Sequence, residues 1–295
     1  LTKVLEKKLV KVVSTVPKTR FELYGVSFPQ DWEVVFVDYP QPDDVMIKAC
    51  EGADFLFVGS VHTVSRNVIV NSPSLKMIHT EGVGFDKVDY EAAKEVGLPV
   101  CNNRAVNNTS VAEHTIGLML ASLKRIALAN TQIRERDFDE LQAELRTEGI
   151  HEMSSQHVGL IGAGAIGQEV ARMLAPFGCK ISYYDVYRPS GEREKELNIS
   201  YLPLEEILKQ CDIISLHVPV LPSTVNMIDK KAIGMMKDNA ILINTSRGEL
   251  IDQEALVEAL ENGKIFCAVD TVTPEPVPKD HPLLNLSPKA SLRLI

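Results

Sequence analysis

Short β-branched and aliphatic runs alternate with amphipathic stretches along the first third of the chain. Leu9 to Ser14, Glu33 to Val37, Phe55 to Gly59, Met77 to Thr80 and Pro99 to Asn102 read as strands, with a helix over Asp44 to Glu51. Strands separated by helical patterns predict a parallel sheet, because parallel neighbours need a crossover connection. Near Ser110 the texture changes. Ser110-Val-Ala-Glu113 has the S-x-x-E form of a capping box and opens a densely apolar stretch to about Leu123, which predicts a helix buried nearly all round, between two domains. Ala127 to Thr147 reads as one charge-rich helix that either projects to a partner subunit or is simply solvated. From His157 the alternation resumes. His157 to Ile161, Lys180 to Tyr184, Ile213 to His217, Ala240 to Asn244 and Ile265 to Val269 are strands, with helices around Ile166, Leu204, Ala232 and Ala255, so a second, larger doubly wound unit is expected.

Length and composition agree with this picture: 295 residues suffice for two domains, and 45% hydrophobic with 24% charged residues suits a packed core under a polar surface. The net charge of -9 argues against nucleic acid and anionic membrane surfaces as partners. No apolar run approaches the roughly 18 residues of a membrane helix. The first stretch, LTKVLEKKLV, is interrupted by Glu6, Lys7 and Lys8 where a signal peptide would be apolar, so a cytoplasmic protein is expected. Cys50, Cys101, Cys179, Cys211 and Cys267 are widely spaced with no C-x-x-C pair, and read as buried thiols of a reducing compartment; no metal site is signalled.

The firmest chemical signal follows the strand Val158 to Ile161. Gly162-Ala-Gly-Ala-Ile-Gly167 comes at once and a helical pattern continues from Gln168 to Leu174. In that context the glycines have distinct tasks: Gly162 for the tight turn, Gly164 for approach of a pyrophosphate to the backbone, Gly167 for helix packing, with the helix N-terminus facing the phosphates. The next strand ends in Asp185, about 18 residues past Gly167, where a ribose-binding carboxylate belongs. Such a carboxylate accepts both ribose hydroxyls and repels a 2′-phosphate, which favours NAD over NADP. Arg188 lies near enough in sequence to soften this, so use of both cofactors stays open, as does a plain solvated aspartate at Asp185.

The fingerprint falls past the middle of the chain, leaving a complete α/β unit upstream. Together with EGVGFDKVD (Glu81 to Asp89), VNNTSVAEHTIG (Val106 to Gly117), SLHVPVLPST (Ser215 to Thr224), ILINTSRGELID (Ile241 to Asp252) and AVDTVTPEP (Ala268 to Pro276), it resembles the D-2-hydroxyacid dehydrogenase family. That family includes hydroxypyruvate and glyoxylate reductases and phosphoglycerate dehydrogenase, and the resemblance runs along nearly the whole chain. It implies two doubly wound parallel-sheet α/β domains, a flavodoxin-like substrate domain over 1–104 and a Rossmann NAD-binding domain over 105–295, with reversible hydride transfer between nicotinamide and a 2-oxo or 2-hydroxy acid.

Carried over by position, Arg247 is the cation that holds the substrate carboxylate and polarises its carbonyl, and Glu275 is the carboxylate that stabilises a protonated histidine donor. Val83 and Gly84 match amides that take the substrate carboxylate, Ser60 and Val61 the substrate loop, and Asn107 a cleft asparagine. Ala165 and Ile166 match the pyrophosphate turn, Val218 a residue under the cofactor, Thr245, Ser246 and Arg247 the nicotinamide side, and Asp270 the carboxamide contact. His217, His79 and His114 read as structural, and His281 as part of a proline-bounded surface loop.

Departures accompany the resemblance. The family's catalytic histidine stands in a T-P-H-type motif expected beyond NLSPKASLRLI, after Ile295, and the helices that follow it are likewise absent, which reads as a truncated or incomplete chain that binds cofactor but turns over little. Ala165 stands where the family often carries arginine. The loop VGSVHTVS has no arginine near Ser60, so a small unphosphorylated 2-oxo acid of the hydroxypyruvate, glyoxylate or pyruvate type is expected. A homodimer built on Ser110 to Thr147 is a further implication of the family. The competing reading from another class is a non-catalytic NAD-sensing scaffold of the corepressor type on the same fold.

Overall fold

Two parallel sheets organise the molecule. In the computed structural model, which describes residues 9–134 and 136–295, backbone proximity divides the chain into two units, Leu1–Val106 and Asn107–Ile295. Glu6, Lys7 and Lys8, on which the reading of the first stretch rests, lie outside the described residues, as does Glu135.

The first unit carries strands β1 (Val10–Ser14), β2 (Trp32–Phe36), β3 (Phe55–Val58), β4 (Met77–Thr80) and β5 (Val100–Cys101). Helices α1 (Lys18–Leu23), α2 (Asp43–Ala49), α3 (Arg66–Val70) and α4 (Tyr90–Glu95) alternate with them. All neighbours are parallel, in the order β2-β1-β3-β4-β5, the flavodoxin-like arrangement in which the strand order reverses between β1 and β3. Val13, Leu56, Val58 and Ile78 from the strands pack with Val68, Ile69, Ala92 and Ala93 from the helices. Short polar caps start α3 and α4: Val68 N donates to Ser65 Oγ at 3.3 Å and Ala92 N to Asp89 Oδ1 at 2.9 Å.

The second unit has six parallel strands, β6 (His157–Ile161), β7 (Lys180–Tyr184), β8 (Ile199–Tyr201), β9 (Ile213–Leu216), β10 (Ala240–Asn244) and β11 (Ile265–Val269). Their order is β11-β10-β9-β6-β7-β8, the Rossmann topology. Every residue of β6, β9 and β10 is buried, which is why these strands read as continuous apolar runs rather than alternating ones. Helices α8 (Ala165–Leu174), α9 (Gly191–Leu197), α10 (Leu204–Gln210), α11 (Lys230–Met235), α12 (Gln253–Glu261) and α13 (Pro288–Ser291) connect and flank them. Ahead of the sheet lie α5 (Asn108–Leu123), α6 (Ile126–Gln132) and α7 (Phe138–Glu148).

Several expectations need correction. Ser110 does not cap α5: the helix begins at Asn108 with Asn107 at the N-cap, so Ser110 already lies in the first turn. Nor is α5 buried all round. Ala112, Thr115, Ile116, Met119, Ser122 and Leu123 form one buried stripe at helical spacing, and the helix packs on α8, β10 and β11 of its own unit. The charged segment is two helices rather than one, because the Asp137 carboxylate accepts from Asp139 N and Glu140 N and starts α7 anew. Elements α9 and β8 went unread: GEREKEL offers almost no apolar periodicity, and β8 is three residues long. Among the cysteines, Cys101 is exposed; the other four are buried, and burial pushes the Cys211 and Cys267 thiols up to about 12. Among the described residues no helix is long and apolar enough to cross a membrane.

Candidate functional site

Each sheet gathers its chemistry at the carboxyl ends of its strands. In the Rossmann unit, β6 ends at Ile161 and the chain turns through Gly162 at φ +105, a backbone conformation that glycine alone adopts without strain. A methyl group at Gly162 would stand 2.5 Å from His217 O, and one at Gly167 would stand 2.1 Å from Gly162 O. Both glycines are therefore demanded by the fold itself. Gly164 differs: a methyl there meets no protein atom within 4 Å. Gly164 is also the N-cap of α8 and bonds nothing with a side chain, so the amides of Ala165, Ile166 and Gly167 open the helix without intrahelical acceptors. The space beside Gly164 and these amides fit a dinucleotide pyrophosphate.

Asp185, just after β7, is half-buried. Its Oδ2 accepts from Ala163 N at 2.7 Å and its Oδ1 from Tyr187 N at 2.8 Å. Each oxygen keeps a further lone pair, so the carboxylate is fixed yet still able to accept ribose hydroxyls. Arg188 is not turned toward it. The Arg188 guanidinium pairs with Glu194 at 2.8 Å, reaches Tyr183 Oη at 3.4 Å and lies over the Tyr201 ring at 4.4 Å, which leaves it poorly placed for a 2′-phosphate.

Val218 follows β9 and lies against the glycine turn, its Cγ1 3.0 Å from where a Gly162 methyl would sit. Its neighbour His217 is half-buried, touches Ser215 Oγ through Nε2 at 3.0 Å and has a buried Nδ1 without a partner. Burial drives its pKa from 6.5 to about 4, so it stays neutral. This fits the structural role expected of it.

Two strands from β6, the turn after β10 carries Thr245, Ser246 and Arg247 and is fastened at several points. Asn244, itself fully buried, donates from Nδ2 to Arg247 O at 2.8 Å and accepts from Ser246 N at 3.0 Å. Ser246 Oγ donates to Leu216 O at 2.8 Å on the neighbouring strand. Thr245 Oγ1 lies 2.9 Å from Thr115 Oγ1 of α5; the Thr115 proton goes to Val111 O, so Thr245 is the donor. Gly248 allows the last constraint: a methyl there would meet Thr273 N at 2.4 Å, so the loop that carries Glu275 rests directly on the Arg247 turn. Glu275 is exposed in that loop. Asp270, at the end of β11, is also exposed and sits 3.4 Å from His114 Nε2.

His281 is not on the surface, contrary to the sequence reading. It is 4% exposed, donates from Nε2 to Thr273 O at 3.0 Å and accepts from Leu283 N at 3.2 Å. Its ring pins the Glu275 loop to the short 3-10 turn Pro282–Leu284, and the apolar neighbours of DHPLL come from packing that sequence alone does not display. Asn107 lies at the start of α5, where its Oδ1 is buried and unpartnered and makes no cap bond. Thr115 and Asn244 were not singled out from sequence; the available signal was a polar residue on the apolar stripe of α5 and an asparagine closing a buried strand.

In the flavodoxin-like unit, Ser60, Val61, Val83 and Gly84 lie in the loops after β3 and β4. Ser60 packs on Gly82, where a methyl would come within 2.9 Å of Ser60 Cβ. Asn102 Nδ2 donates to Val83 O at 2.6 Å and Asn103 Nδ2 to Glu81 O at 2.7 Å, which steadies the turn from Glu81 to Gly84. Arg20, on α1, donates from one nitrogen to both Glu81 oxygens at 2.9 and 3.0 Å. An arginine is thus present at this edge, supplied by α1, which the loop sequence could not reveal.

A family description, "D-isomer specific 2-hydroxyacid dehydrogenase, NAD binding domain", matches residues 116–290, more than half the chain. The chain belongs to that family. The matched residues fall in its Rossmann unit, which corresponds to the family's NAD-binding domain.

Among relatives of this dehydrogenase family, D-3-phosphoglycerate dehydrogenase of Methanocaldococcus jannaschii is 40% identical over 242 residues, 82% of this chain and 45% of that protein. Hydroxypyruvate reductase of Thermotoga maritima is 38% identical over 234 residues, 79% of this chain and 74% of that one. The match thus spans under half the length of the first relative. D-lactate dehydrogenase of Aquifex aeolicus, solved with NAD and lactic acid, superposes with a TM-score of 0.80 at 29% identity, covering 97% of this chain and 86% of that one.

Proposed function

We propose that the protein is an NAD-dependent oxidoreductase that reduces a small unphosphorylated 2-oxo acid, of the hydroxypyruvate, glyoxylate or pyruvate type, to its 2-hydroxy acid. The observation that carries this reading is the placement of the fastened Arg247 turn at the same carboxyl edge of the Rossmann sheet as the glycine turn, two strands away. NADH, when bound, supplies the hydride.

Arg247 is proposed to hold the substrate carboxylate through its bidentate fork and to stabilise the charge that develops on the carbonyl oxygen. Val83 and Gly84 offer backbone amides to the same carboxylate, with Ser60, Val61 and Asn107 lining the substrate. On the cofactor side, Ala165 and Ile166 meet the pyrophosphate, Val218 lies under the cofactor, Thr245 and Arg247 with Ser246 face the nicotinamide, and Asp270 takes the carboxamide. Glu275 is proposed as the carboxylate that stabilises a protonated histidine donor. Neither His217 nor His281 fits that donor: the first is held neutral by burial, and the second gives its one N–H to Thr273 O. Residues 1–104 serve as the substrate domain and 105–295 as the nucleotide domain. We further propose a cytoplasmic homodimer built on α5 to α7.

The test is NADH oxidation by the product of the intact reading frame across a panel of 2-oxo acids, alongside Arg247→Lys. Lysine keeps the charge and loses the fork, so kcat/KM should fall by about 100- to 1,000-fold. Silence of the native protein across the panel despite tight NADH binding would favour the NAD-sensing scaffold. Oxidation of 3-phosphoglycerate outpacing every reduction would overturn the substrate assignment.

A further inference from the structure

The loops at the switch point of the flavodoxin-like sheet hold a histidine that the proposed reaction does not use. His62 follows Ser60 and Val61, and its ring is stacked on Tyr39, centroid to centroid 3.9 Å at 11°. It also packs on Gly59, where a methyl would come within 2.9 Å of the ring. The stacking, the packing on Gly59 and a hydrogen bond hold the ring in place.

That hydrogen bond is compatible with the tautomer that leaves Nε2 protonated. Thr15, 3% exposed at the end of β1, accepts from Gly59 N at 3.4 Å and lies 2.7 Å from His62 Nδ1. Thr15 Oγ1 can donate to Nδ1, and in that tautomer the neutral ring carries its own proton on Nε2, which no hydrogen bond among the described residues engages. Burial lowers the pKa of His62, while the charge of Glu81 raises it and that of Arg20 lowers it. The register explains why. Val58 pairs with Thr80 across β3 and β4, which brings the next residues, Gly59 and Glu81, side by side, and Glu81 N donates to Val58 O at 2.7 Å.

One loop cluster thus presents a directed N–H donor, His62, and a carboxylate acceptor, Glu81, whose charge is balanced by Arg20 through the 2.9 and 3.0 Å bonds. It borders Ser60, which packs on the Gly82 turn. We propose that His62 and Glu81, with Arg20 holding Glu81 in place, form a specificity subsite that reads a hydroxyl group on C3 of the 2-oxo acid. A hydroxyl is the group that satisfies both partners, accepting from His62 Nε2 and donating to Glu81. A methyl leaves the His62 N–H without an acceptor and offers Glu81, still bonded to Arg20, nothing in return. A phosphate ester sets its charge against Glu81. The favoured substrate is then a 3-hydroxy-2-oxo acid. This inference rests on the function proposed above.

The experiment measures kcat/KM for hydroxypyruvate, pyruvate and glyoxylate with NADH, using the intact protein and its His62→Ala, His62→Gln and Glu81→Gln forms, with NADH affinity followed by fluorescence. The native protein should prefer hydroxypyruvate over pyruvate by at least about tenfold. His62→Ala and Glu81→Gln should each lower the ratio of hydroxypyruvate to glyoxylate, which has no C3, by about tenfold or more. His62→Gln, which restores a donor, should recover part of it. Equal losses on hydroxypyruvate and glyoxylate would mean a merely structural histidine and overturn this proposal alone. If the native protein binds NADH yet reduces none of the three, the proposed function falls and this subsite with it.

Discussion

Thr245 donates a hydrogen bond to Thr115, hydroxyl to hydroxyl at 2.9 Å, across 130 positions of sequence. The bond ties the turn that presents Arg247 to the most buried face of α5. Thr115→Val keeps the volume and removes the acceptor, which strands a Thr245 hydroxyl that is 8% exposed. We expect a loss of about 1–3 kcal/mol in stability and a several-fold rise in KM for NADH. Unchanged values in urea unfolding and steady-state kinetics would show that the turn is held sufficiently by Asn244 and Ser246.

Asp185 should be divisible into two roles. Its carboxylate receives the Ala163 and Tyr187 amides and is proposed to take the ribose of NAD. Asp185→Asn keeps an oxygen for Ala163 N and loses the charge; Asp185→Ala loses both. NADH affinity measured by fluorescence titration should fall by roughly tenfold in the first and further in the second, while the melting temperature drops mainly in the second. Similar melting temperatures in both variants would contradict the turn-holding role.

The glycines offer a separation of fold from ligand. Gly248→Ala drives a methyl to 2.4 Å from Thr273 N, backbone against backbone, and should cost about 1–3 kcal/mol. Gly164→Ala enters open space and should leave the melting temperature within about 2 °C of the native value, yet weaken NADH binding by tenfold or more. A Gly164→Ala protein that melts early, or that binds NADH normally, contradicts the reading of the turn.

Acid should destabilise the fold through His217. Its pKa drops from 6.5 to about 4 on folding because burial disfavours the charged ring. Between those values the unfolded chain takes up a proton that the folded chain refuses, so the stability is complete above about pH 6.5 and declines toward pH 4, by roughly 3 kcal/mol at most. Urea midpoints at pH 7.5, 5.5 and 4.5 should fall less steeply in His217→Gln. The remaining slope includes His157, whose pKa burial also lowers. An unchanged slope in the variant would remove His217 as the cause.

Periodicity exposed the fold wherever burial was one-sided or complete. The all-buried strands β6, β9 and β10 could hardly be misread, whereas α9 and β8 carry too few apolar residues to announce themselves. Motif spacing placed Gly162 to Gly167, Asp185 and Arg247 on the correct sheet edge. What it could not show was how these are held: Thr115, Asn244 and Gly248 act through contacts between segments far apart in sequence. Arg20 and His62 escaped for the same reason, since α1 and the β3 loop meet only once the sheet is formed. His281 was misplaced because the prolines around it resemble those of a surface loop, while the burial comes from distant partners.

The hydrogen bond from Ala163 to Asp185 and the engagement of Arg188 bear on how this chain can change. Admitting a 2′-phosphate requires losing the Asp185 charge, but that same side chain anchors the glycine turn. Arg188, three residues further along the chain, is already committed to Glu194 and Tyr201. A single substitution toward NADP therefore damages the pocket before it gains a contact. The expected route toward NADP runs through paired substitutions, since the charge and the anchoring of the turn belong to one side chain.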